Sequence, residues 1–254
     1  APDTIRTFYG IDNVRAYRTD VQGVCGLIIG CTRDSSMTMY QDPIVWTGQR
    51  QLFGDSIRCF MNDSTIREAH VMGNAFSIEL MNDGEHYNQV SSKLMNAYFV
   101  DGKIRWSEAI SNVLIVYYPV DDKDSSLIGL NYTETDTMRA YMTPERKLEK
   151  IWMPKSTGTL YPMNQIPADK LKLRGFAWYD YIRPLDKHDL FRHVSKGDKA
   201  QQRQIRVTPP PLQYVGKSAP PSNRKTVVTS TGNKREVIYP SSDVGKPTVE
   251  EVRP

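Results

Sequence analysis

A strand–turn–strand pattern that occurs three times is the feature that most constrains the fold of this chain. The copies occupy residues 54–71, 92–109 and 136–151, and their opening residues at 55, 92 and 136 are 37 and 44 positions apart. Repeats of this length are typical of stacked supersecondary units that cannot bury a core alone. The pattern therefore predicts an extended β scaffold and not a compact enzyme domain.

By composition, the whole chain divides into three parts. Residues 1–160 read as short alternating strands separated by Gly, Asn, Asp and Ser turns, with almost no amphipathic helical period. Residues 161–194 are a capping segment rich in proline and aromatic residues, whose part 175–184 we expect to fold back as a lid over the last β unit. A helix packed on the sheet is the alternative for that part.

Residues 195–254 are predicted to form a disordered basic tail. They hold 8 of the 16 prolines and carry a net charge of +6, whereas residues 1–194 carry −2. Such a composition cannot bury enough apolar surface to offset the entropy of ordering. Because the positive charge belongs to the tail, it does not indicate that the folded part binds nucleic acid.

Motifs of catalysis are missing from the sequence. There is no phosphate-binding loop, no dinucleotide-binding glycine motif, no nucleophile elbow and no zinc-protease motif, and the four histidines lack metal-ligand spacing. The three cysteines, Cys25, Cys31 and Cys59, are too few for a disulfide framework and are expected to be small buried side chains. A single disulfide between two of them is the alternative. We predict a binding protein without cofactor or metal; a pair of glycosidase carboxylates stays open because carboxylates are plentiful.

Targeting features are also absent from the printed sequence. The longest apolar run, residues 113–118, is far shorter than the ~20 residues that a membrane helix needs. No signal peptide is present and the first residue is Ala1, so we expect a mature or truncated chain.

Strand alternation predicts which side chains face a common interior. Period 2 puts Ile57 and Cys59 on one face and Arg58 and Phe60 on the other, and the same phase selects Leu94 in the next copy, with Asn96 and Tyr98. Alternation alone does not distinguish an open groove from a closed, filled core. The candidate lining residues are Ile57, Cys59, Ile66, Ala69, Val71, Leu94, Ile104, Val113, Ile115, Met138 and Ala140.

Three stretches of the sequence carry a family resemblance. They are Gly-Asp-Ser-Ile-Arg at 54–58 with Ile-Arg-Glu-Ala at 66–69, Ser-Leu-Ile-Gly-Leu-Asn at 126–131, and Gly-Thr-Leu-Tyr-Pro at 158–162 continuing to Arg183 and Pro184. Together they resemble the OstA-like (LptA-type) family of periplasmic lipopolysaccharide-transport proteins. The resemblance covers roughly residues 8–185. It implies an all-β fold, a stacked antiparallel β-jelly roll that is open along one side, with a short irregular or helical C-terminal cap.

The resemblance also implies a function. Members bind lipopolysaccharide in a greasy groove and stack edge to edge with themselves or with other transport proteins, which makes a bridge in the periplasm for outer-membrane biogenesis. The expectation for this chain is therefore non-enzymatic binding and transport of lipopolysaccharide or a similar acylated lipid. Two alternatives from other classes are a structural or adhesive β-solenoid that binds proteins through its sheet edges, and a carbohydrate-active enzyme.

Overall fold

Residues 5–62, 65–121, 123–124, 126–145 and 148–191 are described in the computed structural model of this chain, together with two short strands further on. The chain separates into two compact units, residues 1–207 and 208–254. In the described part of the second unit, Thr226–Val228 pairs antiparallel with Lys234–Glu236. Apart from that hairpin, the predicted tail of residues 195–254 lies outside the described residues.

One antiparallel sheet forms the first unit. Its strands are β1 (Thr7–Arg18), β2 (Val21–Cys31), β3 (Ser36–Tyr40), β4 (Ile44–Thr47), β5 (Arg50–Phe53), β6 (Ser56–Asn62), β7 (Thr65–Leu80), β8 (Tyr87–Val100), β9 (Lys103–Tyr117), β10 (Gly129–Met142), β11 (Leu148–Trp152) and β12 (Thr157–Pro162). The pairs β3–β4, β5–β6 and β11–β12 each act as one bent strand, so the described residues make nine antiparallel passes in chain order.

Every pass bends near its middle, and the bends fold the sheet into two layers. The front layer holds residues 7–11, 27–31, 36–40, 56–62, 65–72, 94–100, 103–110, 137–142 and 148–152. The back layer holds residues 14–18, 21–25, 44–47, 50–53, 75–80, 87–92, 113–117, 129–135 and 157–162. Each set pairs within itself, so both layers are continuous across the nine passes.

Bulges and left-handed residues make the bends. The register shifts between Ile11 and Val14, between Met72 and Ala75 and between Ser91 and Leu94, which are the points where a strand leaves one layer for the other. Positive φ angles occur at the bends of alternate passes, at Asp12, Asn13, Gln41, Asp42, Gly73, Asn74, Ser111, Asn112 and Lys155. Asn, Asp and Gly tolerate this conformation best, and a bulge bends the strand that carries it.

The hydrophobic core lies between the two layers, next to the bends that join them. One cluster joins front-layer side chains such as Ile28 and Ile57 to back-layer side chains such as Cys25 and Val113. Met39 reaches across the gap, because a Cβ added to Gly23 would lie 3.2 Å from its terminal methyl group.

A C-terminal strap, residues 163–191, crosses the outer face of the back layer. It contains single 3-10 turns at Met163–Gln165, Asp180–Ile182 and Asp189–Phe191, and no longer helix among its described residues. Its apolar side chains complete two further clusters on this face, through Leu173 in one and Ile182 in the other. The lid expected at 175–184 therefore covers several strands of the back layer and not only the last β unit, and apart from the 3-10 turn at Asp180–Ile182 it is not helical.

Buried glutamines hold the strap by its backbone. The Gln51 amide donates to the carbonyl of Ala177 (2.7 Å) and accepts from the N–H of Tyr179 (2.7 Å). Gln89 holds Leu171 and Leu173 in the same way, with both bonds at 2.8 Å. Each glutamine thus takes a carbonyl and the N–H two residues further on, as a neighbouring β-strand would.

The prediction of an all-β, stacked antiparallel jelly roll with a short irregular cap is confirmed.

Candidate apolar groove between the layers

The floor of the candidate site is the row of front-layer side chains nearest the bends of the strands. Cross-strand pairing puts this row on one face, and its members from β2 to β9 are at most 8% exposed. They are Ile28, Met39, Ile57, Val71, Met95 and Ala109. Tight packing of branched and sulfur-containing side chains closes the groove at this depth.

Small side chains form the second row, which lies two residues further along each strand, away from the bends. Cross-strand partners place Gly30, Cys59, Ala69, Ala97, Ser107 and Ala140 in line, with Met37 as the one large member. Cys59, Ala69 and Ala97 are only half-buried although they face the interior. Part of the apolar surface of this row therefore stays exposed on the inner face.

A third row of larger side chains borders the mouth of the groove on the front layer. Met61 faces Ile66, and Phe99 faces Ile104, in each case across a hairpin. All four are half-buried. The inner face of the front layer therefore carries a row of small residues between two rows of larger ones, and these rows run at right angles to the strands.

The opposite wall belongs to the back layer and becomes polar at its rim. Val45, Leu52, Val90 and Ile115 pack against the core cluster from this side. At the rim the guanidinium of Arg50 lies 3.0 Å from a carboxylate oxygen of Glu79. The groove is thus apolar inside and charged at its back edge.

Two thiols face this interior. Burial raises the pKa of Cys25 and of Cys59 to about 11 in each case. Thiols held in the neutral form behave as small apolar side chains, not as nucleophiles. All three cysteines are free, so no disulfide joins them.

Ten of the eleven predicted lining residues face the interior. They are Ile57, Cys59, Ile66, Ala69, Val71, Ile104, Val113, Ile115, Met138 and Ala140. The face predicted for Leu94 is wrong, because Leu94 pairs with Met72 and Ile110 on the outer face of the front layer. Asn96 and Tyr98 lie on that outer face with it.

In the front-layer half of β8, the interior residues that the prediction missed are Met95, Ala97 and Phe99. A signal for them exists in the sequence. A two-residue Asp101-Gly102 turn pairs Val100 with Lys103, and therefore places Phe99 opposite Ile104. Counting from the turn gives the correct face, whereas counting from Ser92 starts on the far side of the bulge.

The part of the chain that the structure describes offers neither a metal site nor a membrane-spanning helix. No group of three or more His, Cys, Asp or Glu side chains there is placed to hold a metal ion. No helix in the same residues is long and apolar enough to cross a bilayer.

Comparisons with known proteins add little to this geometry. No protein-family model matches the chain, and no curated protein matches it significantly. A solved structure, LptH, the LptA-homologous periplasmic component of the lipopolysaccharide transport device of Pseudomonas aeruginosa, is similar over 63% of this chain and 96% of its own length. The TM-score is 0.38 and the identity 10%, a level of similarity that carries no argument about function.

Proposed function

We propose that this chain is a non-enzymatic lipid carrier that holds acyl chains in the groove between its layers. The observation that carries the proposal is the row of half-buried small side chains between two rows of larger apolar ones. Filling this space with methylene groups removes apolar surface from water, at about 0.8 kcal/mol for each buried CH₂. The ligand in this proposal is lipopolysaccharide or a similarly acylated lipid.

The charged back rim suits a ligand with a polar head. Acyl chains would lie against residues such as Ala69 and Ala97, while the head stays outside the mouth. Arg50 at the rim is already paired with Glu79, so it contributes little to binding a charged head group. Most of the affinity would therefore come from burial of the acyl chains.

A pair of isoleucines on β9 provides a matched test. Ile104 faces the groove and Ile110 faces outward, and both are half-buried. With a photo-crosslinking amino acid at each position in turn, we expect lipopolysaccharide to be captured from 104 and not from 110. Equal capture at both positions, or capture from 110 alone, would reject the groove as the site.

We further propose that copies stack end to end to carry lipid through the periplasm between the inner and outer membranes. Because the described sheet has nine antiparallel passes, β1 runs in the same direction as β11 and β12, so end-to-end stacking would pair β1 of one copy in parallel with β11 and β12 of the next. Among the described strands, β1 pairs on one side only, and its front-layer side chains Tyr9 and Ile11 are 64% and 69% exposed. Exposed edges of this kind pair readily with other strands.

The same edge favours a second candidate function, that of a structural or adhesive scaffold. In that case the edges pair with protein partners and the groove carries nothing. The purified chain separates the two functions: filaments that form without any bound lipid support the scaffold, and co-purified acylated lipid found by mass spectrometry supports the carrier.

A further inference from the structure

The outer face of the front layer carries a polar row that the groove does not use. Cross-strand pairing aligns Arg58, His70, Asn96, Glu108 and Arg139 over five neighbouring strands, from β6 to β10. The row runs at right angles to the strands. Polar side chains on a solvent face are ordinary, but this row has a shape and a bonding state that are not.

The row is recessed between two walls, and we call it the polar trough. Asn96 is 9% exposed and the Glu108 side chain 10%, whereas the Arg139 side chain at one end is 43% exposed. The wall on the hairpin side is aromatic: Tyr98 stacks on Trp106 with ring centroids 3.8 Å apart. The wall on the side of the bends is aliphatic and consists of Met72, Leu94 and Ile110.

The aromatic wall continues past the stacked pair. His70 lies between Phe60 and Tyr98, at centroid distances of 5.5 Å and 6.3 Å. The guanidinium of Arg58 lies 4.8 Å from the centre of the Phe60 ring. Apolar ring surface therefore accompanies the polar floor from β6 to β9.

The charges along the trough cancel locally. Arg58 pairs with Asp34 at 2.7 Å, and Arg139 pairs with Glu108 at 3.3 Å. Beside the trough Arg67 pairs with Glu68 at 3.1 Å. Because each guanidinium has a carboxylate partner, the charge of the trough complements an uncharged ligand and not a phosphate or a strongly acidic polymer.

Two polar atoms in the trough are left without hydrogen bonds. Among the described residues, the buried side-chain nitrogen and oxygen atoms that lack a partner are Nε of Arg58 and Oδ1 of Asn96. A buried polar atom without a partner is costly and rare. One of these atoms is a donor and the other an acceptor, and a ligand hydroxyl group can serve either.

We propose that the polar trough binds an uncharged, extended oligosaccharide that lies across the strands. Its hydroxyl groups bond to the floor at Arg58 and Asn96, and the apolar faces of its rings pack on Tyr98 and Trp106. Neighbouring strands are about 4.8 Å apart, close to the repeat of an extended chain of pyranose rings. Successive sugars therefore meet successive strands.

The test uses lipid-free sugars, so that its failure is distinguishable from failure of the lipid proposal. Cellohexaose, maltohexaose and chitohexaose are titrated into the protein, and binding is followed by isothermal titration calorimetry and by tryptophan fluorescence. We expect at least one hexasaccharide to bind with a Kd below about 10 mM. Trp106→Ala should weaken that binding by about tenfold or more, since it removes a stacked ring.

Ile104→Ala is the matched control, because it truncates a groove-facing side chain on the same strand and should leave sugar binding unchanged. Asn96→Ala removes the unpaired acceptor without touching the aromatic wall, and should also weaken binding. Thermal unfolding of each variant checks that it is folded. The proposal is overturned if no hexasaccharide binds to the wild-type protein, if binding survives both trough substitutions, or if only an acidic heparin hexasaccharide binds.

Discussion

Replacing Gln51 with leucine removes the hydrogen bonds that attach the strap to the middle of the back layer. Gln51 is fully buried and its side chain makes three bonds: to the carbonyl of Ala177, from the N–H of Tyr179 and, at 3.2 Å, from the indole N–H of Trp46. Leucine has a similar volume, so packing changes little. The substitution therefore isolates the cost of leaving three polar partners unpaired.

The expected loss follows from those three partners. Each buried group left without a hydrogen bond costs about 1–3 kcal/mol, and partial relaxation of the strap reduces the sum to about 3–5 kcal/mol. Urea unfolding monitored by tryptophan fluorescence measures the change in the free energy of unfolding. Gln49→Leu, at an exposed position two residues away, is the control and should stay within about 0.5 kcal/mol. A loss below about 1 kcal/mol for Gln51→Leu would refute the clamp.

Three further predictions concern the backbone at Gly73, the thiol of Cys59 and the β1 edge of the sheet. Gly73→Ala should cost about 1–2 kcal/mol more than Gly48→Ala in urea unfolding: both sites have positive φ, but only at Gly73 would the new Cβ collide with the Asp55 carboxylate; equal losses would contradict the collision. Cys59 should be alkylated about 50-fold more slowly in the native than in the unfolded protein at pH 9, because its pKa is raised to about 11. The unfolded chain releases that proton first, so stability should fall as pH rises from about 9 to 11, and a flat profile would argue against burial. Ile11→Lys should abolish concentration-dependent self-association in sedimentation velocity, since an edge lysine blocks strand pairing; unchanged association would exclude the β1 edge.

Local patterns in the sequence were sufficient to predict the β-strands and, for ten of the eleven candidate residues, the face on which the side chain lies. Alternation around Ile57 and Ile104 reports the face of a strand directly, because side chains change sides at every residue. Turn residues such as Asp101-Gly102 mark where the chain reverses. These signals depend only on neighbouring residues, which is why they can be read from one sequence.

The features that could not be predicted depend on distant parts of the chain. The bulge before Leu94 reverses the phase of β8, and its place is set by the fold of the whole sheet across nine passes. Gln51 and Gln89 read as ordinary polar strand residues, because their partners in the strap are 126 and 84 positions away. The polar trough likewise exists only when five strands are in register.

The central claim is that acyl chains lie between the layers, and methyl-labelled NMR with a lipid that carries a nitroxide on its acyl chain tests it most directly. The nitroxide broadens signals of nearby methyl groups. The account predicts loss of the groove-facing signals of Ile66, Ile104 and Ile115, while the outward-facing signals of Leu94 and Ile110 persist. Broadening of the outward methyl groups with the inward ones intact, or no broadening at a saturating lipid concentration, would contradict it.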